Sequence, residues 1–239
     1  MFGLDPVALF KISYSIIPVL LAITLHEAAH GWVAKQLGDP TAFKLGRVTA
    51  NPIKHIDPMG TILVPLVLGF LSGGAILFGW AKPVPVVFQN LRHPRRDMVL
   101  VAAAGPLSNF LMASLWVLLG IVFWAVGAYN LVIAVGAYNL DIGRWLLGSW
   151  EMGILINTVL MVVNLIPIPP LDGGRIATGL LLPQSAATAL ARFELFGLII
   201  VVVLMLPPLA VLGRVIEPFL IYFDQLFRSI FFAVTGMTE

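Results

Sequence analysis

Long apolar runs alternate with short polar segments along this chain, and the lengths of the runs decide how they are read. From Ile12 to Leu25 the only interruptions are Ser, Tyr, Pro and Thr, and a first helix is predicted over about residues 8–35. A bilayer core takes about 20 residues of helix to cross, so this run is long enough. Polar residues follow over 36–57, where the alternation in Thr41-Ala-Phe-Lys-Leu-Gly-Arg-Val-Thr49 predicts a strand at 41–49. Apolar residues return over 59–80, punctuated by Pro65, Gly69, Gly73 and Gly74. Lys82-Pro-Val-Pro-Val-Val-Phe88 predicts a second strand at 82–88, whose prolines suit only a sheet edge. Helices are predicted over about 97–128, over about 144–166 up to the breaks at Pro167, Pro169 and Pro170, and over 173–182. Val-Gly-Ala-Tyr-Asn-Leu occurs at 126–131 and again at 135–140, one duplication too short for a solenoid and read as a loop. A further span is expected at about 193–213, kinked at Pro207-Pro208. The tail, 215–235, mixes Glu217, Asp224 and Arg228 with aromatics and reads as an interfacial amphipathic helix or a span.

Composition turns these runs into a fold class. The chain is 59% hydrophobic and 11% charged, whereas soluble domains carry about 25% charged residues. It cannot cover its surface with polar groups. An all-α polytopic membrane protein is expected, with about five to six membrane helices, a re-entrant hairpin at 59–80 and short cytoplasm-side β-strands. Residues 1–185 would form the core, and 186–239 a C-terminal membrane helix plus an amphipathic or membrane helix. The absence of Cys leaves only His and carboxylates to hold a metal. No basic block with interleaved aromatics points to nucleic acid.

His26-Glu27-Ala28-Ala29-His30 lies inside the first apolar helix. The pattern H-E-x-x-H puts two imidazoles on one helical face with a carboxylate beside them. With a third ligand, such a pair leaves a tetrahedral Zn²⁺ one open position for water, and the Glu can take that water's proton. The third ligand has several candidates: His55, Asp57, His93, Asp141, Glu151, Asp172, Glu194, Glu217 and Asp224. Asp172 stands out by context, in Asn164-Leu-Ile-Pro-Ile-Pro-Pro-Leu-Asp-Gly-Gly-Arg175 directly after a membrane helix. Prolines there force extended backbone at membrane depth, tolerated only where it is buried or lines a polar cavity. Asp172 also reads as an N-cap of the 173–182 helix. Asn109 and Asn164, polar groups in apolar helices, suit either helix–helix hydrogen bonds or contact with a substrate backbone or oxyanion. His55 reads as a surface loop residue, with a gate or auxiliary site group as the alternative.

His26, Glu27 and His30, the Asn164…Pro167…Pro170-Leu-Asp172-Gly-Gly run and Ala104-Gly-Pro-Leu-Ser-Asn109 together resemble motifs of the site-2 proteases, intramembrane zinc metalloproteases of peptidase family M50. The resemblance covers about residues 10–185. It implies one zinc per chain held by His26, His30 and Asp172, Glu27 as general base, and single-pass transmembrane proteins as substrates. It leaves no room for an inserted PDZ domain, and the compact chain suggests a prokaryotic plasma membrane. Competing readings are a zinc transporter, a catalytically silent zinc-binding membrane protein and a zinc hydrolase acting on lipid. Transport would need ionisable residues lining a path, and the centres of the 97–128 and 193–213 helices offer almost none.

The metal site constrains topology. With Lys35 at the interface, His30 lies about 7 Å deep and His26 about 13 Å deep, at about 1.5 Å per residue. For Asp172 to meet them, the first helix and the 144–166 helix must run in the same direction. One full crossing lies between them, the 97–128 helix, so 59–80 enters and returns on one side. Eight of the 14 Lys and Arg flank that segment: Lys35, Lys44, Arg47 and Lys54 before it, Lys82, Arg92, Arg95 and Arg96 after it. The positive-inside rule puts both flanks in the cytoplasm, the N-terminus outside and the active site in the cytoplasmic half. Reporters fused near Lys54 and near Arg92 are therefore both expected to read cytoplasm; readings on opposite sides would exclude this topology.

Overall fold

A computed structural model describes residues 6–64, 66–67, 79–126, 140–182 and 211–236. Its helices are α1 (Pro6–Gln36), α2 (Thr41–Lys44), α3 (Pro94–Ala125), α4 (Leu140–Asn164), α5 (Asp172–Leu181) and α6 (Val211–Thr235). Among the described residues three stretches are long and apolar enough to cross a membrane: Leu9–Gln36, Pro94–Ala125 and Trp145–Asn164. The duplication at 126–140 and the 193–213 segment fall mostly outside the described residues.

Helices α1, α3 and α4 pack against one another, and small residues set how closely. Ala22 and Ala34 of α1 and Ala102, Ala104 and Ala113 of α3 are buried. Gly153 of α4 lies under the Trp116 ring, where an added Cβ would come within 2.3 Å. Helix α6 covers the α3–α4 pair on the side away from α1. Its Ile216 packs on Met161 and Val162, and its Phe227 and Phe231 on Ala113, Val117 and Ile154. It therefore lies lengthwise and antiparallel to α4.

Helix α3 starts at Pro94, whose missing N–H falls among the first-turn donors that have no helical partner. Asp97 accepts the His93 backbone N–H at 2.9 Å and closes that turn. Arg95 donates to the carbonyls of Gly179 (2.7 Å) and Leu180 (3.1 Å), capping the end of α5.

The expected strands do not form; among the described residues there is none. Residues 41–44 are a helical turn. Asp39 accepts from the Thr41 N–H at 3.1 Å and from the Thr41 hydroxyl, and Gly46 ends the turn at φ +63°. A local side-chain acceptor and a left-handed glycine outweigh the alternation that suggested a strand. Residues 82–88 have no ladder partner because their N–H groups go elsewhere. Lys82 donates to the His55 carbonyl (2.9 Å), Val84 to Glu27 Oε2 (2.7 Å) and Val87 to Asp39 Oδ2 (2.7 Å). This strap ends in a 3₁₀ turn at Phe88–Asn90.

The described part of 59–80 begins as a π-helical turn, Pro58–Leu63, capped by Asp57. Its two ends meet: the Trp80 N–H donates to the Gly60 carbonyl (3.1 Å) and the Thr61 hydroxyl to the Trp80 carbonyl (2.9 Å).

Asp39 joins α1, α2 and the strap. Burial alone would raise its pKa, but the Thr41 hydroxyl, the Asn90 amide and the Val87 and Thr41 N–H groups outweigh it and hold the carboxyl below its ordinary value. Its contribution is complete above the unfolded pKa of about 3.9 and is lost as pH falls through the lower folded value. Asp39→Ala is expected to cost about 1–3 kcal/mol at neutral pH by stranding those donors. Thermal melts in detergent should show its gap to wild type narrowing below about pH 4.

Candidate metal centre

Three elements converge on one point. Helix α1 supplies His26 and His30, one turn apart, with ring centroids 4.7 Å apart. The start of α5 supplies Asp172, and α3 passes alongside at Gly105. His26 Nε2 and His30 Nε2 are 3.1 Å apart, and Asp172 Oδ2 is 3.3 Å from each. A metal–ligand bond of about 2.0–2.1 Å gives a tetrahedral edge of about 3.3–3.4 Å. The triangle fits one face of such a tetrahedron.

The tautomers support the same reading. His30 Nδ1 faces the Val101 carbonyl at 2.7 Å, which can only accept, so Nδ1 carries the hydrogen. His26 Nδ1 faces Asn109 Oδ1 at 2.6 Å and donates to it. With the hydrogen on Nδ1, Nε2 of each ring is the atom left to ligate, and both are turned towards a carboxylate oxygen that has no hydrogen-bond donor and is shut off from solvent. Three acceptors so close repel one another unless a cation lies between them. His26, His30 and Asp172 are thus suited to hold a divalent metal.

Glycines make the convergence possible. A Cβ on Gly105 would lie 2.5 Å from His26 Cε1 and from His30 Cε1 and Nε2. A Cβ on Gly173 would lie 2.3 Å from the Leu165 carbonyl oxygen, and one on Gly174 the same distance from the Pro169 nitrogen. The Pro-rich segment therefore folds back over the start of α5. Asp172 is the first helical residue and not the N-cap, which is Leu171.

The remaining sequence candidates separate. Asn109 is fully buried, its carbonyl committed to His26 and its amide donating to Asn157 Oδ1 (2.9 Å) and towards the Ala22 carbonyl (3.4 Å). Asn164 returns its amide to the Leu160 carbonyl of its own helix at 2.9 Å. His55 is not a surface loop residue: it is 2% exposed, and its carbonyl accepts from the Lys82 N–H of the strap. Its Nε2–H donates to the Thr49 carbonyl (3.2 Å) and leaves Nδ1 without a partner. Burial lowers the His55 pKa below its ordinary value, with the Thr49 carbonyl and Glu27 opposing and Arg47 assisting. Among the other candidate ligands, none of the described ones joins the triad.

Sequence reading missed three groups. Asn157, also fully buried, gave the same signal as Asn109, an amide in an apolar helix. The Val84 N–H and the Val101 carbonyl are backbone groups, and nothing in residue type marks them. A cavity of about 330 Å³ opens on the flank of α1, lined by Leu25, Ala28, Ala29, Trp32, Val48 and Ala50 among others.

Apolar helices long enough to cross a membrane, around a His–His–Asp triad suited to hold a metal, point to the class of membrane metalloproteins. Comparison with known proteins narrows the class. The model of Peptidase family M50 matches residues 128–207, which include Asp172. A candidate zinc metalloprotease of Bacillus subtilis (strain 168), YwhC, is 39% identical over 196 residues, covering 82% of this chain and 81% of its own. Candidate zinc metalloproteases named Rip2 from Mycolicibacterium smegmatis (strain ATCC 700084 / mc(2)155) and Mycobacterium tuberculosis (strain ATCC 25618 / H37Rv) are 31% and 30% identical. Each of these matches covers 79% of this chain and 65% of the relative. No solved structure matches significantly. The chain belongs to peptidase family M50.

Gly105→Ala is expected to push the imidazoles apart and abolish stoichiometric metal binding while leaving helix content unchanged. Metal analysis of the purified variant beside circular dichroism checks this; full metal occupancy would show that α3 does not set the ring positions.

Proposed function

We propose that this protein is an intramembrane zinc endopeptidase of the site-2 type, acting on single-pass membrane proteins in or near their transmembrane helices. The triangle of His26 Nε2, His30 Nε2 and Asp172 Oδ2, with edges of 3.1–3.3 Å and Glu27 next in sequence to His26, carries this reading. The relatives' names support zinc as the metal. Zinc bound there polarises a carbonyl and brings the pKa of water towards about 7. Glu27 takes a proton from the attacking water and delivers it to the leaving nitrogen. The Val84 N–H holds Glu27 Oε2 at 2.7 Å, so the exchange falls to Oε1. Asn109 and Val101 act as positioning groups for the two rings, and His55 anchors the strap that carries Val84.

Substrate must reach the site unwound, since a helix hides its carbonyls in its own hydrogen bonds. The strap offers such a segment an edge of unusual character. Pro83 and Pro85 have no N–H, and those of Lys82, Val84 and Val87 are already committed. The strap can accept from substrate N–H groups while leaving most substrate carbonyls unclaimed for attack. The meeting of Gly60 and Trp80 supports 59–80 as a segment that enters and returns on one side. That side is the cytoplasmic one by charge, with the N-terminus outside.

Glu27→Gln tests the reading. Purified variant and wild type are compared for zinc content and for cleavage of a model single-span substrate in detergent. Expected is about one zinc per chain in both, with cleavage reduced at least about 10²-fold in the variant and abolished in wild type by a chelator. Cleavage that survives in Glu27→Gln would sink the assignment of the base. Zinc without cleavage in wild type would favour a silent binder or carrier.

A further inference from the structure

A second polar layer lies behind the metal triad; Asn109 is its front, and the chemistry above does not use the group behind it, Asn157. Asn157 Nδ2 donates to the Gly153 carbonyl at 2.8 Å, and Asn157 Oδ1 accepts from Asn109 Nδ2 at 2.9 Å. Asn109 Oδ1 in turn accepts from His26 Nδ1 at 2.6 Å. Both amides have no exposed surface, so water cannot substitute for a partner.

This chain of bonds has a direction. A side-chain amide can sit either way round in its pocket, with oxygen and nitrogen exchanged. A backbone carbonyl has no such freedom; it only accepts. The Gly153 carbonyl therefore requires the Asn157 nitrogen, which turns the Asn157 oxygen to Asn109. Asn109 must answer with its nitrogen, which turns its own oxygen to His26. The imidazole proton is then drawn to Nδ1, and the Nε2 lone pair faces the metal position. Reversal of Asn109 would put an N–H against Nδ1 and drive the ring proton to Nε2, where it blocks the metal. The Ala22 carbonyl favours the same orientation of Asn109, but at 3.4 Å it is the weaker guide.

We propose that Asn157, on α4, is a positioning residue for the metal centre, acting through Asn109 to fix the tautomer of His26. This rests on the metal-site reading above. It makes α4 a partner in metal binding although none of its side chains is a ligand.

The test measures zinc affinity of detergent-purified protein by competition with a chromophoric chelator, with the visible spectrum of the cobalt-substituted protein as second readout. Asn157→Leu should weaken zinc about 10–100-fold and reduce the intensity of the tetrahedral cobalt bands. Asn157→Asp should stay within about threefold of wild type, because a protonated carboxyl donates to Gly153 and accepts from Asn109 in the same order. The decisive comparison uses Asn109→Asp. Either oxygen of that carboxylate accepts from His26, so no turn of the group presents a donor to the ring; Asn157 Oδ1 then faces a second acceptor, and adding Asn157→Leu should cost less than about threefold. Equal loss in both backgrounds, or no loss in either, would overturn the proposal. If Asn157→Leu does not fold, loss of zinc by a folded Asn157→Asp would overturn it equally. Failure of the wild type itself to bind zinc would instead remove the metal-site reading, and the proposal with it.

Discussion

Three lone pairs brought within 3.3 Å of one another at membrane depth are tolerable only if a cation lies between them and every other polar atom nearby is satisfied by the protein. Lipid offers no hydrogen bonds, so each group must find its partner within the fold. This constraint accounts for the polar residues of the bundle interior. Val101 lends a carbonyl to His30, and Asn109 lends one to His26. The same economy ties Glu27 to Val84 and Asp39 to Val87, so the strap is held by the carboxylates of α1 and of the turn after it.

Such close convergence excludes side chains from the places where backbones meet. Gly105 lets α3 pass beside both imidazoles, and Gly173 and Gly174 let the Pro-rich segment fold onto the start of α5. Ligands from α1 and α5 reach one point because α3 at Gly105 and α5 at Gly173 and Gly174 place no Cβ there. The motifs around the ligands are therefore steric as much as chemical.

The apolar runs at 8–35, 97–128 and 144–166 were legible as membrane helices because each stays apolar for about the length a bilayer core requires. The metal ligands were legible because His and Asp are costly in such runs and need a reason to be there. What could not be read was mostly backbone. The alternation at 41–49 resembles a strand, but Asp39 and Gly46 bend it into a helical turn. The strap at 82–88 has the residues of an edge strand, yet its N–H groups go to Glu27, Asp39 and His55, partners far off in sequence. His55 read as a surface loop residue from its polar segment; its burial is tertiary, with the strap's Lys82 N–H bonded to its carbonyl. Asn157 carried a visible signal, but its importance depends on which helix faces it.

Helix α6 lies on the α3–α4 pair opposite α1, with Phe227 and Phe231 filling the seam between the two helices. The bundle consequently has a front and a back. On the back, aromatic rings of α6 lie over Ala113, Val117 and Ile154; on the front, a cavity beside Leu25 and Trp32 lies along the helix that bears the ligands. Among the described residues, bulk added at the seam meets rings already packed there, whereas bulk added beside Leu25 and Trp32 meets open space.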